Sequence, residues 1–120
     1  MLVAISIPIF TSQLEKSREA ADEANIRAIY AELSADVITE TVVTKGTKCA
    51  VAKSYEVTGT AGETFTGKAE YVMTQKKDGT ANGTAITIGG VTIESANFTT
   101  GTCTITVTSD GNKPVINITK

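Results

Sequence analysis

The sequence predicts an α+β fold, a long N-terminal helix packed on an antiparallel β-sheet, and three observations lead to it. Between Ile7 and Val37 there is no glycine and no proline except Pro8, so nothing interrupts a helix over about thirty residues. After Val43 the composition turns to threonine, valine and isoleucine, which favour strands. Within that second part, short alternating apolar and polar runs are separated by glycine and asparagine turn residues.

The helix is expected from about Ser6 to about Thr41, on the order of 54 Å at 1.5 Å per residue. Its apolar positions Ile26, Ile29, Tyr30, Leu33 and Val37 recur at helical spacing, forming one stripe that a sheet would cover. Glu23 and Arg27 stand in the favourable acid-first i, i+4 order on another face. A domain of this size cannot cover a helix of that length, so the front should project. It carries Leu2, Val3, Ile5, Ile7, Ile9, Phe10 and Leu14, an apolar surface with no partner in the chain. The run from Leu2 to Phe10 is about half of the ~20 apolar residues that cross a bilayer. No basic region precedes it and no small-residue cleavage site follows, so a signal peptide fits poorly. A helix end buried in the domain is the alternative.

The strand region opens with candidates at Val51 to Thr58 and Ala69 to Gln75, with a loop from Gly59 to Gly67. Ile86 and Ile88, then Gly89-Gly90, then Val91 and Ile93 predict a hairpin, since paired glycines supply the positive φ angles of a tight turn. Cys103, Ile105 and Val107 alternate with threonines, the period of a strand with one buried face. After the turn Asp110-Gly111-Asn112, the segment Pro114 to Thr119 places Ile116 and Ile118 on one side. These elements predict a meander whose apolar face packs on the helix stripe. The 120 residues suit one domain, 1–120, with the helix over 1–41 and the sheet head over 42–120.

Composition excludes several classes of function. The chain is 5% aromatic and lacks tryptophan, so its core must be aliphatic. A net charge of −2 gives no basic excess to attract nucleic acid. Histidine, the commonest general base and a frequent metal ligand, is absent. No catalytic residue, cofactor or metal site is expected, and the chain is read as a non-enzyme. Ser12 and Ser34 have no histidine to activate them. Cys49 and Cys103 lie far apart and outside Cys-x-x-Cys spacing. In an exported protein a disulfide between them is expected, closing a loop worth roughly 4 kcal/mol in the chain-entropy model. Two free buried thiols are the alternative.

The acids Asp22, Glu23, Glu32, Asp36 and Glu40 read as a solvated helix face, with subunit contact as the middle reading. Asp78-Gly79 and Asp110-Gly111-Asn112 read as turns, because neither has the spacing of an EF-hand. Lys45, Lys48, Lys53, Lys76 and Lys77 read as solubilising charge. Asn82, Asn97 and Asn117 each begin an Asn-x-Thr triplet, a short pattern that threonine-rich chains produce often.

The phrase Ser6 to Leu33, SIPIFTSQLEKSREAADEANIRAIYAEL, closely resembles the helix of type IV prepilins of Gram-positive anaerobes. The likeness covers about the first third of the chain. It implies a lollipop shape, with the rear of the helix packed on the sheet of a head and the front (Leu2, Val3, Ile5, Ile7, Pro8, Phe10 and Leu14) bundled with other copies in a filament core. The family's proline at Pro8 is associated with a kink or local melting. The leader, processing glycine and helix glutamate of that family are not in the chain, and Met1 reads as an introduced start. A Cys49–Cys103 bridge would differ from the C-terminal disulfide loop of Gram-negative pilins.

The resemblance implies a structural subunit, the major one, of a type IV pilus used for adhesion, twitching motility or DNA uptake. Its partners would be copies of itself, an assembly platform, a prepilin peptidase and extension and retraction ATPases. It would sit in the inner membrane before assembly and at the cell surface afterwards. A pseudopilin of a type II secretion or competence system is the alternative within the superfamily. A surface glycan-binding module is the alternative of another class.

Overall fold

The computed structural model describes residues 2–44, 52–80 and 83–119, with helix side chains described from position 14 onward. Helix α1, Leu2–Ile38, is 37 residues long and continues through Pro8. It is followed by β1 (Ser54–Thr58), β2 (Thr66–Val72), β3 (Ile86–Ile88), β4 (Val91–Ile93), a 3-10 turn at Ser95–Asn97, β5 (Thr102–Thr108) and β6 (Val115–Thr119). The fold is α+β, one helix on an antiparallel sheet.

The helix ends three residues before the expected Thr41, and the cause is local. Thr41 N–H donates to Asp36 C=O at 2.8 Å and Glu40 N–H to Val37 C=O at 3.3 Å, the paired bonds of a Schellman cap. The cap needs a left-handed residue, and Glu40 takes that place with φ 56°. Glycine is the usual occupant, so the sequence carries little sign of this stop. Thr39 assists by donating its hydroxyl to Ala35 C=O at 2.8 Å.

The main sheet has the order β1-β2-β5-β6, every pair antiparallel. Its register aligns the inward side chains in rows. Tyr55, Ala69, Ile105 and Ile116 share one row, and Tyr71, Cys103 and Ile118 another. Opposite them lie Ile26, Ile29, Leu33 and Val37, each at most 1% exposed, so the helix stripe covers the central strands. Gly67 in β2 lets the helix approach, since a Cβ there would lie 2.7 Å from Leu33 Cδ2 and 2.9 Å from Val37 Cγ2.

Strands β3 and β4 pair as a separate hairpin. Gly89 and Gly90 have φ of 59° and 82°, as the paired glycines predicted. Tyr30 sits at the stripe's margin and packs on this turn. A Cβ on Gly89 would come within 2.5 Å of its ring.

Two early strands differ in extent from the sequence reading. β1 begins at Ser54 rather than Val51, and β2 spans Thr66–Val72 rather than Ala69 to Gln75. Thr66 and Gly67, expected in the loop, pair with Thr58 and Val57. The far end stops short because the N–H groups of Thr74 and Gln75 donate to the side chain of Asp22 instead of to a neighbouring strand.

Candidate functional site

The helix and its seat on the head form the candidate site, and its polar anchors differ from the sequence reading. Asp22 is 0% exposed and Asp36 6%, so neither belongs to a solvated face. Both fall in the phase of the apolar stripe, Asp22 four residues before Ile26 and Asp36 three after Leu33. Each is buried because a tyrosine from the sheet meets it. Tyr71 Oη donates to Asp22 Oδ1 at 2.6 Å, and Tyr55 Oη donates to Asp36 Oδ2 at 2.6 Å. Glu23, Glu32 and Glu40 do remain at the surface. Glu23 pairs with Arg27 at 2.7 Å, as the spacing predicted.

Asp22 is the centre of a larger network. Its carboxylate also accepts from Thr74 N–H at 2.9 Å, Thr74 Oγ1 at 2.6 Å and Gln75 N–H at 2.9 Å. Two helical turns earlier, Glu15 accepts from Lys76 N–H at 2.8 Å and Lys77 N–H at 3.4 Å. The two acids therefore satisfy the backbone donors of residues 74–77, which have left the sheet. Gln75, 2% exposed, carries the connection onward by donating Nε2 to Lys77 C=O and Phe98 C=O at 2.8 and 3.2 Å. A buried carboxylate is tolerated when charge-assisted hydrogen bonds replace its water. Its lone pairs are thereby committed to holding the head on the helix.

Burial raises the Tyr71 phenol above its ordinary value of 10.0, the Asn25 amide pulls it partly back, and Asp22 adds to the rise. A raised folded value means that this group's contribution to stability is complete below the unfolded value and is lost as pH climbs through the folded one. Urea unfolding should therefore show stability falling as pH climbs above about 10. That fall comes on top of a loss from the buried Cys103 thiol, which is raised from 9.0 to about 12, so Tyr71→Phe should remove only the Tyr71 share of the slope. An unchanged slope would count against this assignment.

Cys103 is a fully buried thiol whose value is pushed up to about 12 by burial and then by the Asp22 charge. Its expected bridge partner, Cys49, lies outside the described residues, as do Lys45, Lys48 and Asn82. Asp110-Gly111-Asn112 forms a turn, whereas Asp78-Gly79 lies in a bend whose aspartate reaches across the fold. Asp78 accepts from Thr100 N–H at 3.0 Å, and Asp110 accepts from Thr108 Oγ1 at 2.6 Å and Asn112 N–H at 3.1 Å. The Thr108 hydroxyl in particular holds the Asp110 carboxyl below its ordinary value. Among the described residues no cluster of acids and cysteines could hold a metal ion.

Of the front face, Leu2, Val3, Ile5, Ile7, Pro8 and Phe10 lie on the helical backbone, and their side chains are outside the described set. Leu14 is 50% exposed. No helix among the described residues is long and apolar enough to cross a membrane. The earliest described helix side chain with a hydrogen bond to the head is that of Glu15, and the earliest buried one is Asp22. Comparison of the chain with protein-family models, curated proteins and solved structures finds no match.

Proposed function

We propose that this chain is a type IV pilin, the structural and major subunit of a bacterial surface filament that polymerises through its N-terminal helix. The observation that carries the reading is the length of α1, 37 residues, in a molecule of elongated proportions. Among the helix side chains described, those from position 14 onward, bonds to the head begin at Glu15. The sequence from Leu2 to Leu14 before it is mostly apolar, roughly 20 Å of helix at 1.5 Å per residue. The molecule measures 66 × 27 × 21 Å, the proportions of a head with a protruding rod. An apolar rod is costly to leave in water, at about 25 cal/mol per Å², and bundling with copies of itself would remove that cost.

The phrase Ile7-Pro8-Ile9-Phe10 at the head of such a helix favours the pilin family over other filament formers. On this reading the subunit waits in the inner membrane, is assembled by a membrane platform and ATPases, and displays its head outward for adhesion, motility or DNA uptake. Electron microscopy of filaments sheared from cells expressing the full-length gene, with mass spectrometry of their subunits, tests it. Thin filaments built mainly of this chain are expected. Trace amounts, or retention in the membrane, would move the reading to a pseudopilin or minor subunit. Saturable sugar binding without any filament would favour a glycan-binding module.

A further inference from the structure

Strand β6 is the outer strand of the main sheet, and its free edge has no backbone hydrogen bond to another segment among the described residues. The opposite edge is treated differently. There Val43 bridges β1 at Val57, with N–H to C=O distances of 3.0 and 3.1 Å. Edge strands are usually blunted by lysine, inward charge, proline or a bulge. None of these lies within Val115-Ile116-Asn117-Ile118-Thr119. Lys113-Pro114 and Lys120 flank the strand, but the five residues between them are uncharged and can template another strand.

The strand also reads almost the same in both directions about Asn117. We propose that β6 is a self-docking edge, which pairs antiparallel with β6 of a second copy across a two-fold axis at Asn117 and joins two four-stranded sheets into one of eight. In that register Val115 faces Thr119, Ile116 faces Ile118 and Asn117 faces its own copy. No charge meets a like charge, so the strand's sequence is complementary to itself. Ile116 and Ile118 end the inward rows of the sheet, and the partner's copies would extend those rows. Strand β4 packs beside β6 on this side. Between the two strands lies a groove of about 450 Å³, lined by Val91, Thr92, Ile93, Ile116, Asn117 and Ile118, which the partner's isoleucines would border. Val115, 52% exposed although aliphatic, gains cover on the other face.

Five residues from each copy bury less than the roughly 1,200 Å² of a stable interface, so one contact is weak. If the proposed function holds, many such contacts would act together. A two-fold contact cannot repeat along a polar filament built by a screw operation, so this edge would join one filament to another side by side.

Cysteine cross-linking tests the pairing, run in a chain carrying Ile7→Asp and Phe10→Asp so that helix-driven assembly does not contribute. Under mild oxidation Asn117→Cys should form disulfide dimers at least tenfold faster than Thr58→Cys, an exposed control on β1, or the parent chain. An equimolar mixture of Val115→Cys and Thr119→Cys should yield mainly the mixed dimer. Equal rates for Asn117→Cys and the control would overturn the self-docking edge. Fast cross-linking with no preference for the mixed dimer would overturn the antiparallel register. Neither result depends on whether the full-length protein forms filaments.

Discussion

Replacing Asp22 with alanine should lower the unfolding free energy by about 4 kcal/mol, measured by urea denaturation of the purified chain. The size follows from what the carboxylate holds. Four donors converge on it: Tyr71 Oη, Thr74 N–H, Thr74 Oγ1 and Gln75 N–H. Removing the acceptor strands the buried Gln75 N–H and the Tyr71 hydroxyl proton beside a position 0% exposed, at about 1–3 kcal/mol each. Asn25 still donates to Tyr71 Oη, and the exposed Thr74 can turn to water. Relaxation of the 74–77 segment recovers part of the loss. Asparagine keeps the shape but turns an NH₂ toward N–H donors, so Asp22→Asn should fall between alanine and wild type. Glu23→Ala, one residue on, loses only a partly exposed ion pair and should change stability by less than about 1 kcal/mol. Equal effects at the two positions would contradict the role given to Asp22.

Joint replacement of Ile7 and Phe10 with aspartate should reduce filament yield at least tenfold while leaving the urea midpoint of the chain within error of wild type. The reason is the division of labour along α1. Among the described side chains the buried stripe starts at Asp22 and the first bond to the head at Glu15, so on the proposed reading two charges on the stretch before Glu15 leave the described core intact. They would, however, face apolar copies in a bundle, where an unpaired carboxylate costs several kcal/mol per subunit. Filaments at wild-type yield would remove the helix front from the assembly surface. A large drop in the midpoint would instead place that front inside the fold.

Much of this architecture was legible in the residues themselves. The absence of glycine and of any proline after Pro8 defined α1, and the 26-29-33-37 spacing identified its buried side. The alternation around Ile105, the Gly89-Gly90 pair and the Asp110-Gly111-Asn112 turn identified two hairpins. These signals are local, because a helix or hairpin is specified by residues that are neighbours in the chain.

Only the tertiary structure decided the rest. Asp22 and Asp36 lie in the stripe's phase, yet a carboxylate is buried only if donors arrive, and those come from Tyr71, Thr74, Gln75 and Tyr55 in distant segments. Gly67 looked like part of a loop until Leu33 and Val37 were seen to occupy the place of its missing side chain. Glu40 adopts a left-handed conformation that its identity does not favour. The sequence by itself determined which segments are helix and strand and which faces are apolar, since those depend on short-range periodicity. Which polar groups could be buried was decided by contacts between residues far apart in the chain, because a carboxylate is buried only where donors from other segments meet it.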